Sequence, residues 1–256
     1  MASSRPSTQP VRFYFTFRSP FAWLAVRRIR RSPAFAGVDV DLKPIAPQRI
    51  FGGHFDNPTD NAFKASYIFE DAGRQAIEAG VAGEPFGWLQ ERMKAVASSR
   101  KGKELASEKF SVPLPPEDWD TPSKALLYAI QRGKGWAFAE AMCEARWAPG
   151  SNGYKGERAN IQDPATIAAI ADSVGLDGTA CVEAAKHSQE LEAETNAIVA
   201  QSEADQVFGF PFFVTADGQR FWGNDRLPWL LRAVQGGHGG SLPDITVDTS
   251  APLSKL

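Results

Sequence analysis

The stretch FYFTFRSPFAWLAVRRI, Phe13–Ile29, changes its period half-way along. Up to Phe17 the residues alternate as they do in a strand that shows its two faces to different surroundings. After Pro20 the apolar residues fall at helical spacing instead. Ser19 stands at the join as a candidate N-cap, with Pro20 at the first helical position, where a missing N–H costs nothing. The reading is therefore a strand over Val11–Phe17 and a helix over Pro20–Arg31. GVDVDLKPI, Gly37–Ile45, alternates again and gives a second strand. A β-α-β opening normally makes parallel neighbours. The basic cluster RRIRR, Arg27–Arg31, is expected to be a solvated helix face.

After Ile45 the strand signal fades, and AFKASYIFEDAGRQAIEAG, GWLQERMKAVASSRKGKELA, SKALLYAIQRGKGWAFAEAMCEARWA and DPATIAAIADSVG carry helical apolar spacing. LDGTACVEAAKHSQELEAETNAIVAQSEADQ continues it. Strands return in FGFPFFVTADGQRFWG, two short apolar runs around the turn signal Asp217-Gly218. A helix follows in NDRLPWLLRAVQ, with Asn224 or Asp225 as its cap and Pro228 in the first turn. The order is β-α-β, a long helical insertion, then β-β-α. Residues 1–10 read as a disordered leader, 11–47 and 202–236 as one α/β domain, 48–201 as a helical domain inserted into it, and 237–256 as a flexible tail.

The 256 residues suffice for one large or two smaller domains, and a net charge of −2 argues against a nucleic-acid binder. The two cysteines, Cys143 and Cys181, form no C-x-x-C, which fits a reducing compartment. His54, His187 and His238 lack metal-ligand spacing. No apolar run reaches the ~18 residues of a membrane span, and the start of the chain has no signal-peptide core. The chain ends Ser254-Lys255-Leu256, a peroxisomal address if the source is eukaryotic; otherwise a cytoplasmic location is expected.

FYFTFRSPFAWLA, FGFPFFV and FWGNDRLPWLL together resemble the kappa-class glutathione transferases and the 2-hydroxychromene-2-carboxylate isomerases. KASYIFEDAGR, in its Lys-x-x-Tyr-x-x-x-Asp spacing, and ARWAPGSNGYKGERANIQDPATIAAIADSVGLD resemble the same family. The likeness covers roughly residues 11 to 235. It implies a DsbA-like thioredoxin fold with a large all-helical insertion, glutathione as co-substrate, a small hydrophobic second substrate and a homodimer. By the same resemblance Ser19 matches the catalytic serine, and Asn224 and Asp225 the pair that holds the γ-glutamyl end. Phe210-Pro211 matches the cis-proline turn beside the cysteinyl part, and Lys64 the lysine near the glycyl carboxylate. Asn57 is the nearest equivalent of an asparagine upstream of that lysine, and the proline usual before the lysine is missing. FWGNDRL leans toward the isomerases, and the terminal tripeptide toward the peroxisomal transferases.

The chemistry of these residue types agrees. A thiol with a pKa near ~8.5 reacts as its thiolate, so an enzyme that uses one needs donors for S⁻. A helix N-terminus offers unsatisfied N–H groups and a favourable dipole, and Ser19 adds a hydroxyl. Ser19, Pro20, Phe21 and Ala22 stand where dithiol relatives carry cysteine, so dithiol exchange has no sulfur here. The plainer readings remain beside these. Ser-Pro is a common helix start. Pro211 suits an edge strand as well as a cis turn. Asn224 and Asp225 serve equally as caps. Phe21, Trp23, Phe210 and Trp222 are mostly expected in the core, with a share left to line an apolar pocket. Two functions follow: a glutathione-dependent transferase or isomerase acting on aromatic or hydrophobic electrophiles, or a non-catalytic thioredoxin-like module that holds a thiol or a partner.

Overall fold

The computed structural model describes residues 9–50, 62–81, 118–148, 159–237 and 239–248. Asn57, His54, most of the leader and the terminal Ser254-Lys255-Leu256 lie outside them. A four-stranded sheet has the order β2-β1-β3-β4, formed by β1 (Val11–Phe15), β2 (Val40–Pro44), β3 (Phe212–Val214) and β4 (Arg220–Trp222). β1 and β2 are parallel, with Val11 opposite Val40 and Phe15 opposite Pro44. β3 runs antiparallel to β1 and to β4. β1 ends two residues earlier than its alternation suggests. The backbone turns there, with the Ser19 N–H donating to Thr16 O at 3.1 Å and the Arg18 N–H to Thr16 Oγ1 at 3.3 Å.

β1 is covered on both faces. On one, Phe13 stacks on Phe15 at 4.7 Å and on Phe213 at 4.6 Å. On the other, Asp205 gathers Arg12 Nε at 2.6 Å, Arg12 Nη2 at 2.8 Å and the Tyr14 hydroxyl at 2.6 Å. Burial opposes the charge on Asp205, but the hydrogen bonds from Arg12 and Tyr14 outweigh it and hold the carboxyl below its ordinary range.

The helices are α1 (Pro20–Arg31), α2 (Ala62–Glu78), α3 (Asp120–Gln131), α4 (Gly135–Trp147), α5 (Pro164–Ser173), α6 (Gly178–His187), α7 (Gln189–Ala204) and α8 (Leu227–Val234). α5, α6 and α7 start on capping side chains: Asp163, Asp177 and Ser188 each accept from the backbone N–H three residues on. α3 packs on α4, α6 and α7, and α4 also packs on α1.

The α1–α4 contact corrects the expectation for RRIRR. The cluster is not a solvated face. Arg27, Arg28 and Arg31 are each 8% exposed. Arg31 Nε meets Glu140 Oε1 at 2.7 Å, and Arg27 Nη1 meets Glu144 Oε1 at 2.7 Å. Glu140 and Glu144 stand one helical turn apart on α4, so one face of that helix supplies the counter-charges. The Arg27 and Arg31 guanidiniums are buried with partners, whereas Arg28 has Glu78 only at 3.8 Å and burial lowers its pKa. The tail also departs from its expectation. Val247 is buried and the Asp248 N–H donates to Arg31 O at 3.0 Å, which ties the chain to the end of α1 as far as Asp248. Among the described residues no helix is long and apolar enough to cross a membrane.

Candidate active site

Ser19 is the N-cap of α1. Its Oγ accepts the Ala22 N–H at 3.3 Å. The same hydroxyl points its proton toward Phe210 O, 3.5 Å away. That is longer than the 2.5–3.0 Å of a formed O–H···O bond, so the proton is weakly held and can be redirected. Phe210-Pro211 is a cis peptide, and the turn sits directly before β3. The structure thus brings together the serine and the proline turn, two groups 191 residues apart in the chain. Trp147 fixes the approach to Ser19 by donating its indole N–H to Phe17 O at 3.0 Å. Nothing in the local sequence marks Trp147 for this role.

Asn224 and Asp225 join the same corner from the other side. The Gly223 N–H donates to Pro211 O at 3.0 Å, which docks the start of NDR onto the proline turn. Neither residue is the cap expected of it. Residues Asn224–Arg226 form a 3-10 turn whose N-cap position is Gly223, and α8 begins at Leu227 after Arg226. The cause lies in Gly223, whose φ of +110° turns the backbone where a side chain is strained. A Cβ on Gly223 would also run into the Asp225 carboxylate. Asp225 is exposed beside Arg226, 3.5 Å from it. Asn224 is 1% exposed, and its Nδ2 donates to Gln75 Oε1 on α2 at 2.7 Å.

Lys64 stands exposed in the first turn of α2. Gln75 is three turns further on, a rise of ~16 Å, so Lys64 and the 3-10 turn lie toward opposite ends of the same helix. Asn57 is outside the described residues. Of the four aromatics, Trp23 is fully buried, Phe21 and Phe210 are partly buried against the core, and Trp222 is 54% exposed. Trp222 lies against the turn: a Cβ on Gly209 would meet its Nε1 at 2.7 Å. Phe208 packs edge-on against it at 4.9 Å.

Neither cysteine can serve this corner. Cys143 is fully buried, and burial raises its thiol well above the ordinary value. Burial pushes the Cys181 thiol up to about 11. A separate cavity of about 380 Å³ opens at the far end of α1, between Ile29, Phe35, Val38, Arg30 and Trp136. No residue of the Ser19 corner lines it.

Residues 119–235 match the DSBA-like thioredoxin domain. The chain has a DsbA-like thioredoxin fold. Around this domain the chain is 26% identical to the 2-hydroxychromene-2-carboxylate isomerase of Sphingobium xenophagum, over 87% of its own length and 96% of that protein. The solved structure of a 2-hydroxychromene-2-carboxylate isomerase superposes with a TM-score of 0.62 at 20% identity, covering 89% of this chain and 95% of that one. A cytosolic disulfide reductase from Pseudomonas aeruginosa, solved with GSH, gives 0.55 at 17% identity over 89% and 98%. Both structures share the fold with this chain. The N-terminus of α1, which lies before the matched residues, faces the proline turn with a serine.

Proposed function

We propose that this chain is a glutathione-dependent isomerase of the kappa type. In this reading Ser19 and the N-terminal amides of α1 stabilise the thiolate of bound glutathione. The thiolate adds to a conjugated aromatic or hydrophobic substrate, forming a C–S bond and placing the electron pair on the conjugated system. The former double bond rotates, the pair returns, the C–S bond breaks, and glutathione leaves unchanged. Transfer would stop at the adduct. The likeness to the Sphingobium xenophagum isomerase along nearly its whole length favours return over transfer.

One observation carries the proposal. A hydroxyl with a weakly committed proton caps a helix 3.5 Å from the proline turn, while both of the chain's own thiols are buried with raised pKa values. A thiolate used here has to come from outside the chain. Phe210, in the cis turn before β3, supplies backbone groups with which a cysteinyl peptide can pair. Asp225 offers a carboxylate for an ammonium, and Lys64 a cation for a carboxylate. Exposed Trp222 and Phe208 offer an aromatic wall for the second substrate. We extend the proposal to a homodimer, and in a eukaryotic host to peroxisomes. The test is turnover of a chromene carboxylate and of an aryl halide, each with and without glutathione. Glutathione-dependent isomerisation supports the reading. Conjugation alone makes the chain a transferase. Tight glutathione binding with neither activity reduces it to a thiol-binding module.

A further inference from the structure

The junction between α2 and the 3-10 turn holds three polar side chains in series. Gln75 Nε2 donates to Asp71 Oδ2 at 2.8 Å, and Asn224 Nδ2 donates to Gln75 Oε1 at 2.7 Å. Arg74 stands 3.4 Å from the other oxygen of Asp71. The series has a direction. A carboxylate only accepts, so the end of Gln75 that faces Asp71 must be its NH₂. The end that faces Asn224 must then be its oxygen, and Asn224 must answer with its own NH₂. A single carboxylate thereby orients two amides that could each otherwise be turned over. What remains is Asn224 Oδ1, an acceptor shielded from solvent and without a hydrogen-bond partner among the described residues. Leaving a buried acceptor unmet is unfavourable, which makes this corner receptive to an N–H donor. The same α2 edge is held to α1, where Arg28 Nη2 lies 3.8 Å from Glu78 Oε2.

Resting on the glutathione reading above, we propose that Asp71 and Gln75 are positioning residues. They hold Asn224 with its oxygen reserved for the ammonium of the γ-glutamyl end, beside the Asp225 carboxylate. Neither touches the ligand; each acts through Asn224. The Asp225 carboxylate, next in the chain, favours a cationic donor over an anionic group.

The substitutions that test this keep shape and change direction. Asp71→Asn is nearly isosteric but can either donate or accept, so Gln75 and Asn224 are no longer fixed. Its Kd for glutathione, by calorimetry, should rise about fivefold or more, with kcat within about twofold. Adding Gln75→Glu to Asp71→Asn restores the direction, because a carboxylate at 75 accepts from both neighbours. The double variant should recover the Kd to within about twofold. A glutathione analogue lacking the α-amino group should bind wild type and Asp71→Asn alike. A purely structural role would move the melting temperature and would not be rescued by the second change. An unchanged Kd in Asp71→Asn, a double variant that stays weak, or an equal penalty with the amino-free analogue each overturns the assignment. Wild-type protein that binds no glutathione overturns the functional reading and this inference with it; wild-type binding that Asp71→Asn leaves untouched overturns the inference alone.

Discussion

Replacing Ser19 by Gly separates the two roles of that residue. As a cap it contributes one bond, the Ala22 N–H to Oγ at 3.3 Å. Ala at an N-cap costs about 0.5–2 kcal/mol, whereas Gly costs only a few tenths. The other contact, to Phe210 O at 3.5 Å, is too long to add much. Ser19→Gly should therefore melt close to wild type. Its chemistry should suffer more. Loss of one oriented donor to an anion typically costs on the order of 10²-fold in rate, about 2.7 kcal/mol. If all of that acts on the ground-state thiolate, the pKa of bound glutathione should rise by up to ~2 units, at 1.36 kcal/mol per unit. The α1 amides remain and will reduce the shift. A titration of thiolate absorbance with glutathione bound, run beside kcat, reads both quantities. A folded Ser19→Gly with full activity and an unchanged thiol pKa would leave Ser19 as a cap only and sink the proposed mechanism.

Asp225→Ala should weaken glutathione binding by a charge-assisted contact of about 1.5–3 kcal/mol, at the lower end because the side chain is exposed; calorimetry with no change in Kd would remove Asp225 from the site. Glu140→Ala leaves buried Arg31 with only the longer contact to Glu144, 3.7 Å, and should cost up to about 3 kcal/mol of stability, whereas Glu140→Leu with Arg31→Met should recover most of it; urea melts showing equal losses would contradict the packing account. Hydrogen bonds from Arg49 and Lys124 hold Glu192 down to about 2. The folded pKa lies below the ordinary value of about 4.5, so the linked stability is complete above that value and is lost as pH falls toward 2. Glu192→Gln should flatten the melting temperature in that window only; parallel curves for the two proteins would exclude the linkage. In a eukaryotic host a fluorescent fusion that keeps Ser254-Lys255-Leu256 should enter peroxisomes, and removal of the three residues should leave it in the cytosol. Identical distributions would refute the address.

The framework was legible because its signals are local. The alternation of Phe13 and Phe15, the Ser19-Pro20 start of α1 and the Asp217-Gly218 turn each act within a few residues. Gly218 adopts the positive φ, +83°, that such a turn requires. The missed features depend on distance in the chain. Arg31 meets Glu140 across 109 residues, Arg27 meets Glu144 across 117, and Asn224 meets Gln75 across 149. The cluster RRIRR looks solvated until one face of another helix brings carboxylates to Arg27 and Arg31. The cap expected at Asn224 or Asp225 is displaced for a local reason, since the preceding glycine turns the backbone and delays α8 to Leu227.

Those long-range contacts share a physical consequence. The inserted helices do more than cover the sheet. Trp147, at the end of α4, holds the carbonyl of Phe17 two residues before Ser19. Gln75, on α2, holds the amide of Asn224 next to Asp225. Both are single side-chain hydrogen bonds into the turns that frame the proposed thiol site, one at each end. A thioredoxin core alone would place the Ser19 turn and the proline turn together. It would leave the Phe17 carbonyl and the Asn224 amide to water, and both turns freer to move. Preorganised donors outperform mobile ones because they do not reorient as charge develops. In the proposed mechanism, the inserted helices therefore serve to hold both turns in place for the anion that the second molecule would bring.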